Sequence, residues 1–415
     1  MNINYLIVLI IVMIGGHANI ITISNITLSI AFVFTFFIFL KRNYKFDKIF
    51  IIFITIYIIV AISYYFKFGW IDVFRIIREI MKFTYAYIVF KMLKNKFIVY
   101  SEDIIYKLAL ISLPLYLMQL YDFHLMKQII GIIEHTIPAL DYRDNWYENN
   151  FIFTLNDRYM GAGEGAWRNS GFAWEPKGFA SILSIAIFFN LIINNFKLNK
   201  RLYIMLIALI TTFSTAGYII LLFSLVPFYI LNTKGSLKIF IFPLAIIISI
   251  FVFFNTDRLK NKLISEIMER DKLLSYQYDR NYKGESRSMG RFGSLLLDYY
   301  DFKKEPIIGY GVQKSERTMK SIGGVKLVRV NGFSDLLAKY GLLGMIFWIV
   351  SLFLSLKKLS NYYKFTGNVF IVSSILMISF GSAIVFNPFF LVIPFIWMIK
   401  KYNVHITKDK KRNID

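Results

Sequence analysis

The chain predicts an all-α polytopic membrane protein with about twelve transmembrane helices and two large polar loops on one side of the bilayer. Three observations carry that prediction. Of its 415 residues, 57% are hydrophobic and 18% charged, with mean hydropathy +0.54, which is more apolar surface than a soluble domain of this length hides. Apolar runs near membrane-helix length recur throughout, at roughly 3–16, 20–40, 49–66, 73–93, 104–120, 172–195, 202–214, 217–231, 238–254, 335–356, 367–382 and 384–400. The short segments between these runs are alternately basic and nearly uncharged.

These runs divide the chain into 1–120 with about five spans, a polar segment 121–171, 172–254 with about four spans, a second polar segment 255–334, 335–400 with about three spans, and a basic tail 401–415. The first run lacks a basic leading segment and a small-residue cleavage site, so it reads as a membrane helix rather than a signal peptide. With the N-terminus inside, the inside segments collect Lys41, Arg42, Lys45 and Lys48, then Lys91, Lys94 and Lys96, then Lys197, Lys200 and Arg201. Lys234 and Lys238, then Lys357, Lys358 and Lys364, and finally the tail from Lys400 to Arg412 continue the series. The short outside turns hold little that is basic beyond Lys67. This is the positive-inside pattern, and it places both termini in the cytoplasm.

The two long segments then fall outside. The second carries sixteen Lys or Arg against ten Asp or Glu, a surplus that orientation does not require, because long loops cross largely regardless of charge. The formal charge of +22 would suggest a nucleic-acid partner in a soluble protein. Here topology accounts for most of it, and no nucleic acid is expected. Inside loops of about five to twelve residues cannot build a nucleotide-binding domain, and no G-x-x-x-x-G-K-[ST] occurs. The spans are nearly free of charge, which points away from a transporter and toward chemistry on the outer face.

Within the outer segments, Leu259, Leu263 and Ile267 recur every four residues and predict an amphipathic helix over 257–275. A second helical pattern covers about 289–302 and stops before Pro306. Arg168 and Glu175 lie seven apart, two turns if that segment is helical, and Pro176 suits a first helical turn beside Glu175. Arg287 and Arg291 lie four apart, one face of a helix if ordered so. Paired guanidinium forks suit phosphate oxygens, although attraction to anionic headgroups explains them too. Asp335 opens the tenth span, where an ionisable group needs a partner, such as Arg329, or caps its helix. Trp146, Trp167, Trp174 and Tyr310 are outer aromatics able to stack on sugar faces or to anchor at the interface.

Some chemistry is excluded. There is no cysteine, and His17, His124, His135 and His405 show no ligand spacing. No D-x-D occurs, and G-A-G-E-G-A at 161–166 follows no predicted strand. No metal or other cofactor is expected.

Arg168-x-x-Gly171-x-x-x-Glu175-Pro176 resembles a pattern of bacterial O-antigen and capsular polysaccharide polymerases (Wzy-type). Arg291, then Pro306-Ile-Ile-Gly-Tyr-Gly311, then Asn331-Gly-Phe-Ser-Asp-Leu-Leu and Tyr340-Gly-Leu-Leu-Gly344, is similar to the second outer loop that these polymerases share with O-antigen ligases. The resemblance covers roughly 165–345. It implies a GT-C-like, metal-independent glycosyltransferase of the bacterial cytoplasmic membrane. Such an enzyme moves a growing glycan from undecaprenyl diphosphate to the non-reducing end of a lipid-linked repeat unit. It would work among membrane lipids, and a polysaccharide chain-length regulator is its further candidate partner. By matching position, diphosphate binding falls to Arg168 and Arg291, with Arg287 a neighbour; Arg329 is a further diphosphate candidate, and Tyr310, Asn331 and Trp174 are the candidates for glycan contact.

Ligases commonly carry His-Asn where this chain has Val330-Asn331, and an Arg after the serine where it has Ser214-Thr215-Ala216-Gly217. Both departures favour polymerase over ligase, and both leave the general base unassigned. A carboxylate able to take the acceptor proton is Glu175 first and Asp335 second. A ligase and a lipid-linked glycan transporter are the alternatives.

Overall fold

The computed structural model describes residues 2–16, 20–134, 147–149, 151–156, 168–233, 286–288, 290–313, 316–317, 321–322 and 325–400. The expected ninth span, the amphipathic stretch 257–275, the G-A-G-E-G-A run, Trp146, Trp167 and the basic tail lie outside them. In order, the helices are α1 (Ile3–Gly16), α2 (Ile20–Ile23), α3 (Asn25–Lys41), α4 (Lys48–Phe68), α5 (Val73–Leu93), α6 (Asn95–Tyr121) and α7 (Phe123–Glu134). There follow α8 (Pro176–Ile193), α9 (Lys200–Thr211), α10 (Thr215–Asn232), α11 (Arg291–Lys304), α12 (Gly332–Tyr363), α13 (Asn368–Gly381) and α14 (Pro388–Phe395). Five of them, α4, α6, α8, α10 and α12, are long and apolar enough to cross a membrane.

Local sequence explains the boundaries. The run 20–40 is interrupted at Ser24, whose hydroxyl accepts the Ile26 N–H and starts a new helix. The run 384–400 is broken by Asn387-Pro388 and Pro394 into a 3₁₀ turn, α14 and a second 3₁₀ turn Ile396–Met398. Within α10 a π-helical turn, Leu221–Leu225, precedes Pro227, which cannot donate to the ladder.

At the centre stands α8. Small residues along it, Gly178, Ala180, Ser181, Ser184 and Ala186, let neighbouring helices approach closely. A Cβ added at Gly217 of α10 would lie 2.9 Å from Ala180 Cβ. The serines satisfy themselves on their own helix, Ser181 at Lys177 O (2.9 Å) and Ser184 at Ala180 O (2.7 Å).

Short strands add to the all-α expectation. Tyr147–Asn149 pairs antiparallel with Thr154–Asn156 and packs on α7, where Phe123, Met126, Ile130, Phe153 and Leu155 bury a small separate core. Ser286–Ser288 runs parallel to Val325–Val328, which pairs antiparallel with Ser321–Ile322. Arg287 is therefore in a strand and Arg291 is the first residue of α11, so the two do not share a helical face as their spacing suggested.

Helix direction sorts the polar groups to two ends of the bundle. One end gathers the short basic segments. There Lys91 and Tyr87 meet Asp47 at 2.5 and 2.7 Å, Arg201 meets Glu102 and Asp103 at 3.0 Å each, and Lys358 donates to the backbone of Trp397 and Ile399. The other end gathers the described parts of both long polar segments. Trp174 N donates to Gly16 O at the end of α1 (3.0 Å), and Asn169 N to Thr211 O at the end of α9 (3.0 Å).

At that second end, 306–311 is built into a break in α12. Gly341 sits at φ 63°, ψ −166°, outside helical space. The freed backbone bonds with the loop instead: Leu342 N to Pro306 O (2.8 Å), Leu343 N to Ile307 O (3.2 Å), Tyr310 N to Ala338 O (3.1 Å) and Gly311 N to Lys339 O (2.6 Å). A Cβ at Gly341 would lie 2.3 Å from Ile307 O, and one at Gly309 2.6 Å from Ala338 O. The two glycine-containing motifs are thus the two halves of one backbone joint.

Candidate functional site

The joint sets one wall of a cavity of about 370 Å³. Its opposite wall is the first part of α5, started by Asp72, whose carboxylate accepts the Arg75 N–H at 3.0 Å. Arg75, Arg78 and Lys82 follow at helical spacing and line the cavity with Glu79 between them. Arg317 enters from the second polar segment, Asp335 and Lys339 from α12, Trp174 from the stretch just before α8, and Ser382, Phe386 and Asn387 from the turn after α13. Five cationic side chains and two carboxylates line it, and Asp72 behind them neutralises Arg75, which leaves a surplus of two positive charges. The expectation that the spans are nearly free of charge does not hold for α5, whose first ten residues carry four charged side chains.

Part of this charge is already engaged. Arg75 pairs with Asp72 (2.9 Å) and donates to Val312 O (3.3 Å), fastening the loop to α5. Lys339 sits 3.2 Å from Glu79, whose other oxygen accepts the Tyr340 hydroxyl at 3.3 Å. Arg317, 7% exposed, gives one amino group to Asp335 at 2.5 Å. Its Nε and Nη2, and the Nε of Arg78, are buried with no hydrogen-bond partner among the described residues. A buried donor left unmade costs about 1–3 kcal/mol, more when charged. Such groups on the wall of a cation-rich cavity are arranged to meet an anion.

Behind Arg317 lies a second layer. Arg329 donates to Asp298 at 2.6 Å and also to Asp301, and the Ser334 hydroxyl donates to Asp298 at 2.6 Å. Arg317 stands 3.9 Å from Asp298. Burial, reinforced by the Asp335 charge, pushes Asp298 up to about 6, against the opposing pull of Arg329 and Arg317. The two acids and two arginines hold α11 to the start of α12.

The structure distributes the expected site residues unevenly. Trp174, just before α8, and Asp335, in the first turn of α12, line the same cavity. Asp335 pairs with Arg317 rather than Arg329, which is turned to Asp298 and Asp301. Asn331 is fully buried as the cap of α12, accepting from the N–H groups of Phe333 and Ser334 and donating to Arg291 O at 3.3 Å. Tyr310 is buried and stacks on Phe68 at 5.7 Å. Arg291 reaches Gly381 O at 3.4 Å, behind the turn that lines the cavity.

Arg168 donates to Thr212 O at 2.9 Å and does not line the cavity. The segment 168–175 is not helical, so Arg168 and Glu175 are not stacked two turns apart; Glu175 is the extended residue before Pro176. Arg287 is described by its backbone only. Among the described residues, no group of three His, Asp or Glu side chains is placed to hold a metal ion.

No known protein family, curated protein or solved structure matches the chain.

The residues that sequence reading missed are Arg75, Arg78, Glu79, Lys82, Arg317 and Lys339. For α5 a signal existed, since R-x-x-R-E-x-x-K at the start of an apolar run puts three cations on one helical face. For Arg317 and Lys339 none did.

Proposed function

We propose that the chain is a polysaccharide polymerase of a bacterial cytoplasmic membrane, with about twelve spans, a GT-C-like architecture and both termini inside. The observation that carries this reading is the cavity lined by Arg75, Arg78, Lys82, Arg317 and Lys339, with Asp335 and Glu79 among them. It opens at the end of the bundle where both long polar segments gather, the end that the positive-inside pattern puts outside.

In this reading the cavity holds the diphosphate of an undecaprenyl-linked glycan. The C1–O bond to the diphosphate breaks, and fixed guanidinium groups stabilise the negative charge that the leaving group gains. A hydroxyl of a second lipid-linked repeat unit attacks C1, and its proton passes to a carboxylate. Asp335, with 22% of its side chain exposed beside Arg317, is the better-placed acceptor; Glu175 is not in the wall. Trp174 offers a face to the sugar. Arg168, Arg287 and Arg291 remain candidates for holding the second lipid-linked substrate, and a chain-length regulator remains a candidate partner.

The test is incubation of the purified protein with an undecaprenyl-diphosphate repeat unit. A ladder of lengthening glycans is expected; unchanged substrate at all protein concentrations sinks the reading. A lipid-linked glycan transporter is the second reading, favoured by the charges on α5. It predicts transbilayer movement of the same substrate in vesicles with no ladder.

A further inference from the structure

An apolar groove of about 360 Å³ borders the cationic cavity. From α4, Ile49, Phe53, Ile56, Val60 and Tyr64 line it at intervals of three or four residues, one continuous helical face. They face Tyr340, Leu343 and Phe347 of α12 and Phe395 of α14. At 1.5 Å per residue the stretch from Ile49 to Tyr64 is about 22 Å long, most of the depth of a hydrocarbon layer. Polar atoms contribute almost nothing to this surface.

The groove exists because α4 stands away from the bundle. Only 17% of its most apolar window is buried, against 44% in α12 and 89% in α8. The helix is nevertheless tied at both ends. Asp47 meets Lys91 at one end; at the other, Lys67 pairs with Glu305 and the Tyr64 hydroxyl donates to Ile308 O at 2.6 Å. Between its tied ends α4 touches the bundle through a few side chains, Phe53 on Phe83, Phe347 and Phe395 and Tyr57 on Phe83, and the slot runs beside them.

Groove and cavity meet at one place. Phe386 lines both. The Tyr340 ring belongs to the groove while its hydroxyl donates to Glu79 of the cavity, and Lys339 Nζ lies 4.8 Å from the Tyr340 ring and 5.3 Å from the Phe386 ring. The apolar surface therefore ends where the cationic surface begins.

The geometry points to this groove as the seat of a single long isoprenoid chain whose diphosphate occupies the cavity, an assignment that rests on the lipid-diphosphate reading above. One narrow slot matches one chain better than the two acyl chains of a phospholipid. Two surplus positive charges match a diphosphate better than a single phosphate diester.

The experiment uses the full-length protein in nanodiscs with undecaprenyl diphosphate as probe. A photoreactive benzoylphenylalanine replaces Ile56, which lines the groove, or Ile58, which is exposed and lies about 160° round α4 from it. Crosslinking from 56 and not from 58, undiminished by excess phosphatidylglycerol, is expected. Equal crosslinking from both positions, or displacement by phosphatidylglycerol, overturns the assignment.

A groove-filling Val60→Trp substitution is expected to weaken undecaprenyl diphosphate binding about tenfold or more while leaving binding of inorganic pyrophosphate unchanged. Unaltered binding of both would also overturn it. The two readings fail separately. Selective crosslinking without a glycan ladder removes the polymerase and keeps the groove; a ladder without selective crosslinking does the reverse.

Discussion

Arg317 decides how the cavity works. Its guanidinium is buried in the cavity wall, spends one amino group on Asp335, and keeps two donors without a partner among the described residues. Arg317→Lys keeps the charge but removes the fork, because an ammonium cannot hold Asp335 and a phosphate oxygen in one plane. With charge-assisted hydrogen bonds worth about 2 kcal/mol, kcat/KM for glycan transfer should fall roughly thirtyfold. Thermal stability in detergent should change little, since the Asp335 pair survives. Equal activity of the variant would remove Arg317 from the diphosphate site.

Asp298 supplies a second residue-scale test. Its folded value lies above the ordinary carboxylate range, so the native state holds its proton where the unfolded chain has lost it. The stability this contributes is fully present below about pH 4 and is lost as pH rises through about 6. The melting temperature of the native protein should therefore fall more steeply between pH 4 and 6 than that of Asp298→Asn, which has no proton to lose. Parallel slopes would show that Asp298 does not titrate there.

At the scale of elements, the joint between 306–311 and α12 holds the cavity wall. Gly341→Ala places a Cβ 2.3 Å from Ile307 O at a backbone conformation that only glycine adopts readily. A loss of at least about 2 kcal/mol is expected, read as a lower melting temperature and weaker pyrophosphate binding together. An unchanged melting temperature would mean that the joint does not form.

This joint also shows what sequence can and cannot disclose. Gly309, Gly311 and Gly341 mark close backbone approaches, and both motifs are visible in the chain. Their being complementary to each other is not, because a glycine says that something comes near without saying what. The ends of α1, α4, α5 and α8 were readable to within a few residues because apolar runs and caps are local signals. The start of α6 at Asn95 was not, since its first turns are polar and are held by Glu102 and Asp103 meeting Arg201 from another helix. Arg317 is one of sixteen basic residues in its segment, and only burial beside Asp335 and Asp298 sets it apart.

For the whole molecule, the question is which end of the bundle faces out. Among the described residues, the short basic segments and parts of the two long polar segments collect at opposite ends, so a single sidedness governs the cavity. In the proposed topology, charge bias in the short loops puts the basic end in the cytoplasm. The chain has no cysteine, so one introduced thiol reports one position without background. Lys45→Cys, exposed beside α4 at the basic end, should resist a membrane-impermeant maleimide in intact cells and react after permeabilisation. Lys303→Cys, exposed at the end of α11, should react in intact cells. The reverse pattern would put the cavity in the cytoplasm, where lipid-linked repeat units are assembled rather than joined, and would overturn the polymerase reading while leaving the fold and the cation-lined cavity as described.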